Sequence, residues 1–393
     1  MPNETIRVGY PRSTYPYVRN VINACDGTEY RHVLNAYDPL IKIAKGIRVV
    51  GPALLSRRSV LDQEFRFYHI GQRDVDLYHL FNSVNVGPGA WISTFETCIP
   101  RHSATLGTTM PDNNARRDLD RLFECIADDN CRGIIALSEN ANRIQQNLME
   151  RYDTADMERI QSKMHTLYPP QASVVDHVEE KNTPDDRIVF TFVGRAFFRK
   201  GGREILNVFT SLPTSIRDQV ELNIVSSLDL DPYATGETIE DVEWAQQTLR
   251  KHEGWIYYFP SLPHEDVLDL MRRSHVGLLP THADTFGYSV LEFQAAGCPV
   301  ITTKVRALPE INDSSCGWLI DVNVNELGIG QHSTDAERAD NHARISEGLD
   351  HIVKRIVRNQ SRIHEKARQA LARIRRVHNP ADYARQLKSV YQT

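Results

Sequence analysis

The densest run of chemistry-bearing residues is Thr281-His282-Ala283-Asp284-Thr285-Phe286-Gly287-Tyr288-Ser289-Val290-Leu291-Glu292. It follows an apolar stretch, ending at Leu279-Pro280, that reads as a strand, and it leads into a helical pattern. Free amides at the start of a helix favour an anion such as a diphosphate. Gly287 lets backbone approach a ligand closely. Asp284 falls in the loop and Glu292 inside the helix, so the two carboxylates can accept hydrogen bonds from separate hydroxyls of a sugar nucleotide. On spacing alone, a plain strand-to-helix connection with surface acids fits equally well.

A second run, Gly194-Arg195-Ala196-Phe197-Phe198-Arg199-Lys200-Gly201-Gly202, also follows a strand and opens a helix. Arg195 offers a planar fork for phosphate oxygens and Lys200 a point charge. The spacing is not that of a P-loop, and the run also reads as a tight turn. Two cationic residues and two helix N-termini in one domain are nevertheless what a diphosphate needs. The Asp-x-Asp pairs Asp74/Asp76, Asp118/Asp120 and Asp229/Asp231 have metal-binding spacing, but chance explains them better, and no metal is expected. No Cys/His spacing matches a zinc site.

The elements that must position these residues alternate. Strands are expected at Ile6–Gly9, Ile47–Val50, Asp76–Phe81, Ala90–Phe95 and Gly133–Leu137, with helices at Asn113–Asp128 and Glu139–Arg151, the latter capped by Ser138. After a linker-like stretch from Tyr168 to Asp186 the rhythm restarts. Strands are expected at Arg187–Val193, Val220–Val225, Trp255–Phe259, Val276–Leu279 and Cys298–Thr302. Helices are expected at Gly202–Ser211, Glu240–His252, His264–Arg273 and Gly287–Ala296. Strands followed by helices imply α/β architecture with parallel sheets covered on both faces. The chain therefore divides into two Rossmann-like, doubly wound domains over 1–170 and 185–335, followed by charged C-terminal helices over 336–393.

The 393-residue length fits two domains. Net charge of −5 gives no sign of a nucleic-acid binder. The first 60 residues carry nine Arg and Lys against four acids. That excess suits an anionic ligand or peripheral contact with an anionic membrane surface, or is a solvated basic face. Six cysteines without paired spacing suggest reduced thiols and the cytosol. The Met1-Pro2-Asn3-Glu4 start does not read as a signal segment, and the apolar stretches are strand-sized.

The order Gly194-Arg195, Lys200-Gly201, Gly254-Trp255, Leu278-Leu279-Pro280, Asp284, Phe286-Gly287, Glu292, Gly297-x-Pro299-Val300-Ile301 resembles retaining glycosyltransferase family 4 of the GT-B fold. The resemblance is specific over Ile188 to Ile320, about a third of the chain. It implies that Arg195 and Lys200 contact the diphosphate of a nucleoside diphosphate sugar and that Asp284 holds the donor sugar. Glu292 would hold the ribose, and Gly194, Phe286, Gly287 and Tyr288 would shape the nucleotide site, with no further cofactor. The loop from Thr302 to Pro309-Glu310 would lie beside it, and the helices over 336–393 would return to the N-terminal domain.

Three departures stand out. Asp284 replaces the family's Glu. Tyr10-Pro11-Arg12-Ser13 follows the first strand in place of Gly-Gly. Glu96 stands where members carry His, with His102 nearby. Glu96 is taken as a candidate catalytic residue, a structural role being at least as open. The resemblance implies transfer of a sugar to a saccharide, lipid-linked or small-molecule acceptor hydroxyl with retention of configuration, on the cytoplasmic side. Other readings are a nucleotide-sugar epimerase or phosphorylase of the same fold, or a non-catalytic sugar-nucleotide-binding protein.

Overall fold

The computed structural model describes residues 5–50, 57–72, 74–106, 112–184 and 186–393. Two compact units emerge: unit 1, Met1–Pro170 with Pro380–Thr393, and unit 2, Gln171–Asn379.

Unit 1 holds strands β1 (Ile6–Tyr10), β2 (Thr28–His32), β3 (Leu77–Phe81), β4 (Trp91–Phe95), β5 (Cys131–Ala136) and β6 (Met164–Thr166). They form one parallel sheet in the order β6-β5-β4-β3-β1-β2. β3 and β4 are buried at every position, as strands covered on both faces must be. Helix α1 (Asn113–Ala127) buries Leu119, Leu122, Phe123 and Ile126. Helix α2 (Glu139–Arg151) starts where Ser138 Oγ accepts from the Ala141 amide at 3.0 Å, the cap expected from sequence.

One expected strand is absent. Ile47–Val50 is the end of a helix spanning Tyr37–Val50. The apolar run was short enough to suit either structure, and its Gly51-Pro52 stop lies outside the described residues. Sequence reading also passed over β2. Its residues, Thr-Glu-Tyr-Arg-His, form a half-exposed edge strand with no apolar run.

Unit 2 repeats the plan with β7 (Ile188–Val193), β8 (Val220–Val225), β9 (Ile256–Phe259), β10 (Val276–Leu279), β11 (Val300–Thr303) and β12 (Trp318–Ile320). All pair in parallel, in the order β9-β8-β7-β10-β11-β12. Helix α3 (Gly202–Thr210) packs Ile205, Leu206 and Phe209, all fully buried, into the same core as Phe190 and Phe192 of β7. Helices α4 (Ile239–Lys251), α5 (His264–Arg272) and α6 (Tyr288–Ala295) follow in turn.

The C-terminal helices divide between the units. Helix α7 (Asp335–Arg358), opened by a Thr334/Glu337 capping box, and α8 (Ser361–Val377) belong to unit 2. Helix α9 (Pro380–Tyr391) belongs to unit 1, where Tyr383, Leu387, Val390 and Tyr391 share a core with Val8, Leu77, Ile92 and Ile135. Among the described residues no helix is long and apolar enough to cross a membrane.

Candidate functional site

The strand order of unit 2 reverses its direction of growth between β7 and β10, the place where open parallel α/β sheets take their ligands, beyond the carboxyl ends of the strands. Both sequence-derived motifs begin there. The loop after β7 runs from Gly194 to Gly201 and that after β10 from Pro280 to Gly287. Gly201 has φ +89°, and a Cβ there would lie 2.2 Å from the Pro280 carbonyl oxygen, so the two loops can meet only through glycine. A Cβ on Gly194 would lie 2.6 Å from Cδ of Lys200. The missing side chain lets the lysine stem fold back across the end of β7.

That path delivers Lys200 Nζ to Asp284 Oδ2 at 2.8 Å, with the two side chains 17% and 10% exposed. Asp284 Oδ1 accepts from the Thr285 amide at 2.8 Å, and the Phe286 amide also bonds the carboxylate. Burial alone would raise this carboxyl's pKa. The Lys200 ammonium, with help from Arg199 and the Phe286 amide, outweighs burial and holds the pKa below the usual value. Asp284 is therefore an anion fixed beside a cation in a largely dry corner.

Arg199 braces the same corner. Its Nε donates to Asp231 Oδ2 at 2.7 Å and Nη1 to the Ala283 carbonyl at 3.0 Å, while its own carbonyl accepts from the His282 amide at 2.9 Å and Thr281 Oγ1 at 3.0 Å. Thr303 Oγ1, at the end of β11, donates to the Thr281 carbonyl at 2.6 Å. Arg195 is exposed. Gly287, at φ +90°, begins α6, and Leu308 lies 2.6 Å from where its Cβ would be. Phe286 is buried against the Tyr288 ring at 5.2 Å. Glu292, 6% exposed, is within α6. Unit 2 thus collects Gly194, Lys200, Asp284, Phe286, Gly287, Tyr288 and Glu292 on two connected loops and the helix after the second.

A buried cluster adjoins these loops. Glu204, one turn into α3, shares Oε1 with His282 Nε2 at 2.7 Å and with Nδ1 of His342 on α7. Burial would raise the Glu204 carboxyl, but the two imidazoles pull it far below the usual carboxylate range. Sequence reading passed over Arg199, Glu204 and His342. Glu204 looks like any acid in a helix's first turn, and nothing local ties it to a histidine 138 positions on.

Unit 1 holds the remaining candidates. Glu96, just past β4, accepts from Arg101 Nη2 at 2.9 Å and from Asn82 Nδ2 at 3.4 Å. His102 is buried, with Nε2 3.1 Å from Asp118 Oδ2 and 3.5 Å from Asp62 Oδ1. Five of the six Asp-x-Asp residues are in ion pairs. Asp74 and Asp76 bind Arg7, Asp118 binds Arg66, Asp120 binds Arg116 and Asp231 binds Arg199.

Comparisons with known proteins bear on the same region. Residues 175–344 match the family described as Glycosyl transferases group 1. O-antigen chain mannosyltransferase B of Escherichia coli is 30% identical over 120 residues, 30% of this chain and 29% of that protein. D-inositol 3-phosphate glycosyltransferase of Thermobifida fusca (strain YX) is 25% identical over 174 residues, 41% of this chain and 38% of that protein. The chain thus spans well under half the length of these two relatives. Among solved structures, a glycosyltransferase from Rickettsia africae ESF-5 superposes with a TM-score of 0.60 at 12% identity, covering 99% of this chain and 98% of that one. WaaG, a glycosyltransferase involved in lipopolysaccharide biosynthesis, gives 0.58 at 14% identity, covering 96% and 98%. At such identity the superpositions speak for the fold alone, and they agree with the two six-stranded parallel sheets. The chain has the GT-B fold, and its residues 175–344 are similar to the glycosyl transferases group 1 family.

Proposed function

We propose that this chain is a glycosyltransferase that moves a sugar from a nucleoside diphosphate donor to an acceptor hydroxyl with retention of configuration. The observation that carries the reading is the Lys200–Asp284 pair, 2.8 Å apart at the switch point between β7 and β10, with Lys200 on the loop after β7 and Asp284 on the loop that leads through Gly287 into α6. As the anomeric bond breaks, negative charge grows on the leaving diphosphate. Lys200, Arg195 and the amides at the start of α6 stabilise that charge. Asp284 keeps the ammonium aimed and accepts from donor-sugar hydroxyls, and Glu292 accepts from the ribose. With no separate nucleophile assigned, the leaving phosphate oxygen takes the acceptor proton on the same face of the sugar. The acceptor is a hydroxyl of a saccharide, a lipid-linked molecule or a small molecule. The two relatives named for mannosyl and inositol-phosphate glycosyl transfer support the reaction class.

The test is incubation with UDP- and GDP-sugars, with and without candidate acceptors, while following free nucleoside diphosphate. Acceptor-dependent release is the expected result. An epimerised donor, or tight binding without turnover, would overturn the reading.

A further inference from the structure

Unit 2 holds a group of side chains that the proposed transfer does not use. Glu204 on α3, His282 on the loop after β10 and His342 on α7 bring one ligating atom each to within 4.8 Å of one another. Glu204 and the His282 imidazole are almost wholly removed from solvent, and His342 is a quarter exposed at the mouth. The two imidazole rings stand edge to face with centroids 4.5 Å apart.

Hydrogen bonding within the trio does not satisfy it. Both histidines address the same oxygen, Glu204 Oε1. The second oxygen, Oε2, and His282 Nδ1 are buried without a hydrogen-bond partner. A carboxylate oxygen sealed from water and lacking a donor is costly, and a cation seated on the carboxylate removes that deficit.

The geometry points to a divalent transition-metal site of the zinc type, formed by Glu204, His282 and His342. Two imidazoles and one carboxylate suit zinc and its late first-row neighbours, whereas calcium and magnesium favour all-oxygen sets. Ligand atoms around a tetrahedral zinc stand about 3.3 Å apart, so the 2.7 Å His282 Nε2–Oε1 separation must open by a fraction of an ångström and the tighter His342 Nδ1–Oε1 contact by more. His342, as the partly exposed ligand, leaves a route for the ion and a position for water. The bound ion would cross-link three segments far apart in sequence. Two are tied directly to the donor corner: α3 begins right after Lys200, and His282 stands two residues before Asp284. Its role is to pin that loop against α7, not to meet the diphosphate.

The test uses the full chain. After chelator treatment and desalting, it is loaded with Zn²⁺, desalted again and its metal content measured. Co²⁺ loading then reports coordination by its visible spectrum. The expected result is about one retained zinc per chain and a cobalt spectrum of low coordination number, as for three protein ligands plus water. His342→Ala and Glu204→Gln should each lower zinc affinity at least about tenfold, the scale seen even for outer partners of metal ligands. His342 is at a partly exposed helix position, so its variant remains informative if Glu204→Gln fails to fold. Equal zinc retention by wild type and His342→Ala, or no retention by wild type, would overturn the proposal. Neither result depends on glycosyl transfer.

Discussion

Unit 1 and unit 2 each carry six parallel strands, but they use the space beyond the strand ends in opposite ways. In unit 2 the loops after β7 and β10 touch, glycine against carbonyl, and the corner is filled by Lys200, Asp284 and Arg199. In unit 1 the region beyond β1 and β2 is an open hollow of about 590 Å³, lined among others by Arg12, His32, Asp38, Lys42 and Glu64. Arg12 and Asp38 pair there at 2.7 Å. Close approach of backbones demands particular residues at particular spacings. An open hollow makes no such demand and tolerates many sequences.

The sharpest way to break this contrast is Lys200→Ala. If the filled corner is where charge develops, turnover should fall by about two to four orders of magnitude with the fold intact, as when other charge stabilisers are removed. Steady-state rates with a nucleotide sugar, beside a circular dichroism spectrum, would decide it. Wild-type-like turnover would take the chemistry out of this corner.

The next effect is on stability. Gly201→Ala places a Cβ 2.2 Å from the Pro280 oxygen at a left-handed φ, and backbone cannot yield as a side-chain tip can. A loss of about 2–4 kcal/mol is expected. The unit 1 counterpart is Gly9 in β1, whose Cβ would meet the side chains of Tyr78, Val33 and Val75 at 3.0–3.3 Å. There the neighbours can shift, and the loss should stay near 1 kcal/mol. Urea denaturation of both variants compares the two, and equal losses would erase the distinction.

That difference also explains what could be read from the sequence. The strand-to-helix motifs at Gly194–Gly202 and Thr281–Glu292 were legible because Gly201 and Gly287 hold φ values that other residues resist. Most strands of both sheets were legible because burial on both faces demands unbroken apolar runs such as Ile188–Val193. The edge strand β2 lacked that signal, and Ile47–Val50 carried it falsely inside a helix. The Glu204–His282–His342 cluster was not legible because its spacing follows from tertiary packing alone. The same holds for the contact of the Tyr391 hydroxyl on α9 with His79, 312 positions away.

His79 gives unit 1 a pH dependence that sharpens the comparison further. Its ring is fully buried between Thr94 Oγ1 and the Tyr391 hydroxyl, each 2.8 Å away, and burial lowers its pKa from 6.5 to about 3. Below about pH 6.5 the unfolded chain binds a proton there that folded unit 1 refuses until about pH 3. Stability therefore falls as pH drops through that window, by about 2 kcal/mol at pH 5. Hydrogen exchange at pH 7 and pH 5 should show β3 and β4 losing protection, and His79→Gln should flatten the response. An unchanged profile in that variant would mean another group is responsible.

The smallest effect on turnover is expected at Glu96, the catalytic candidate in unit 1. Its carboxylate is engaged by Arg101 and Asn82, which fix the turn after β4. A group used for positioning in this way can be replaced by the isosteric amide at modest cost. Both donors address the same oxygen, Oε1, so an amide carbonyl in its place still accepts from both, and the arginine loses an ionic partner that is only partly buried. Glu96→Gln should lower turnover by about tenfold or less, equivalent to about 1.4 kcal/mol, with most of the change in KM if it acts on acceptor placement. A loss as large as that of Lys200→Ala, confined to kcat, would instead put a reacting group in unit 1. The chemistry would then be shared between the units, not concentrated at the filled corner of unit 2.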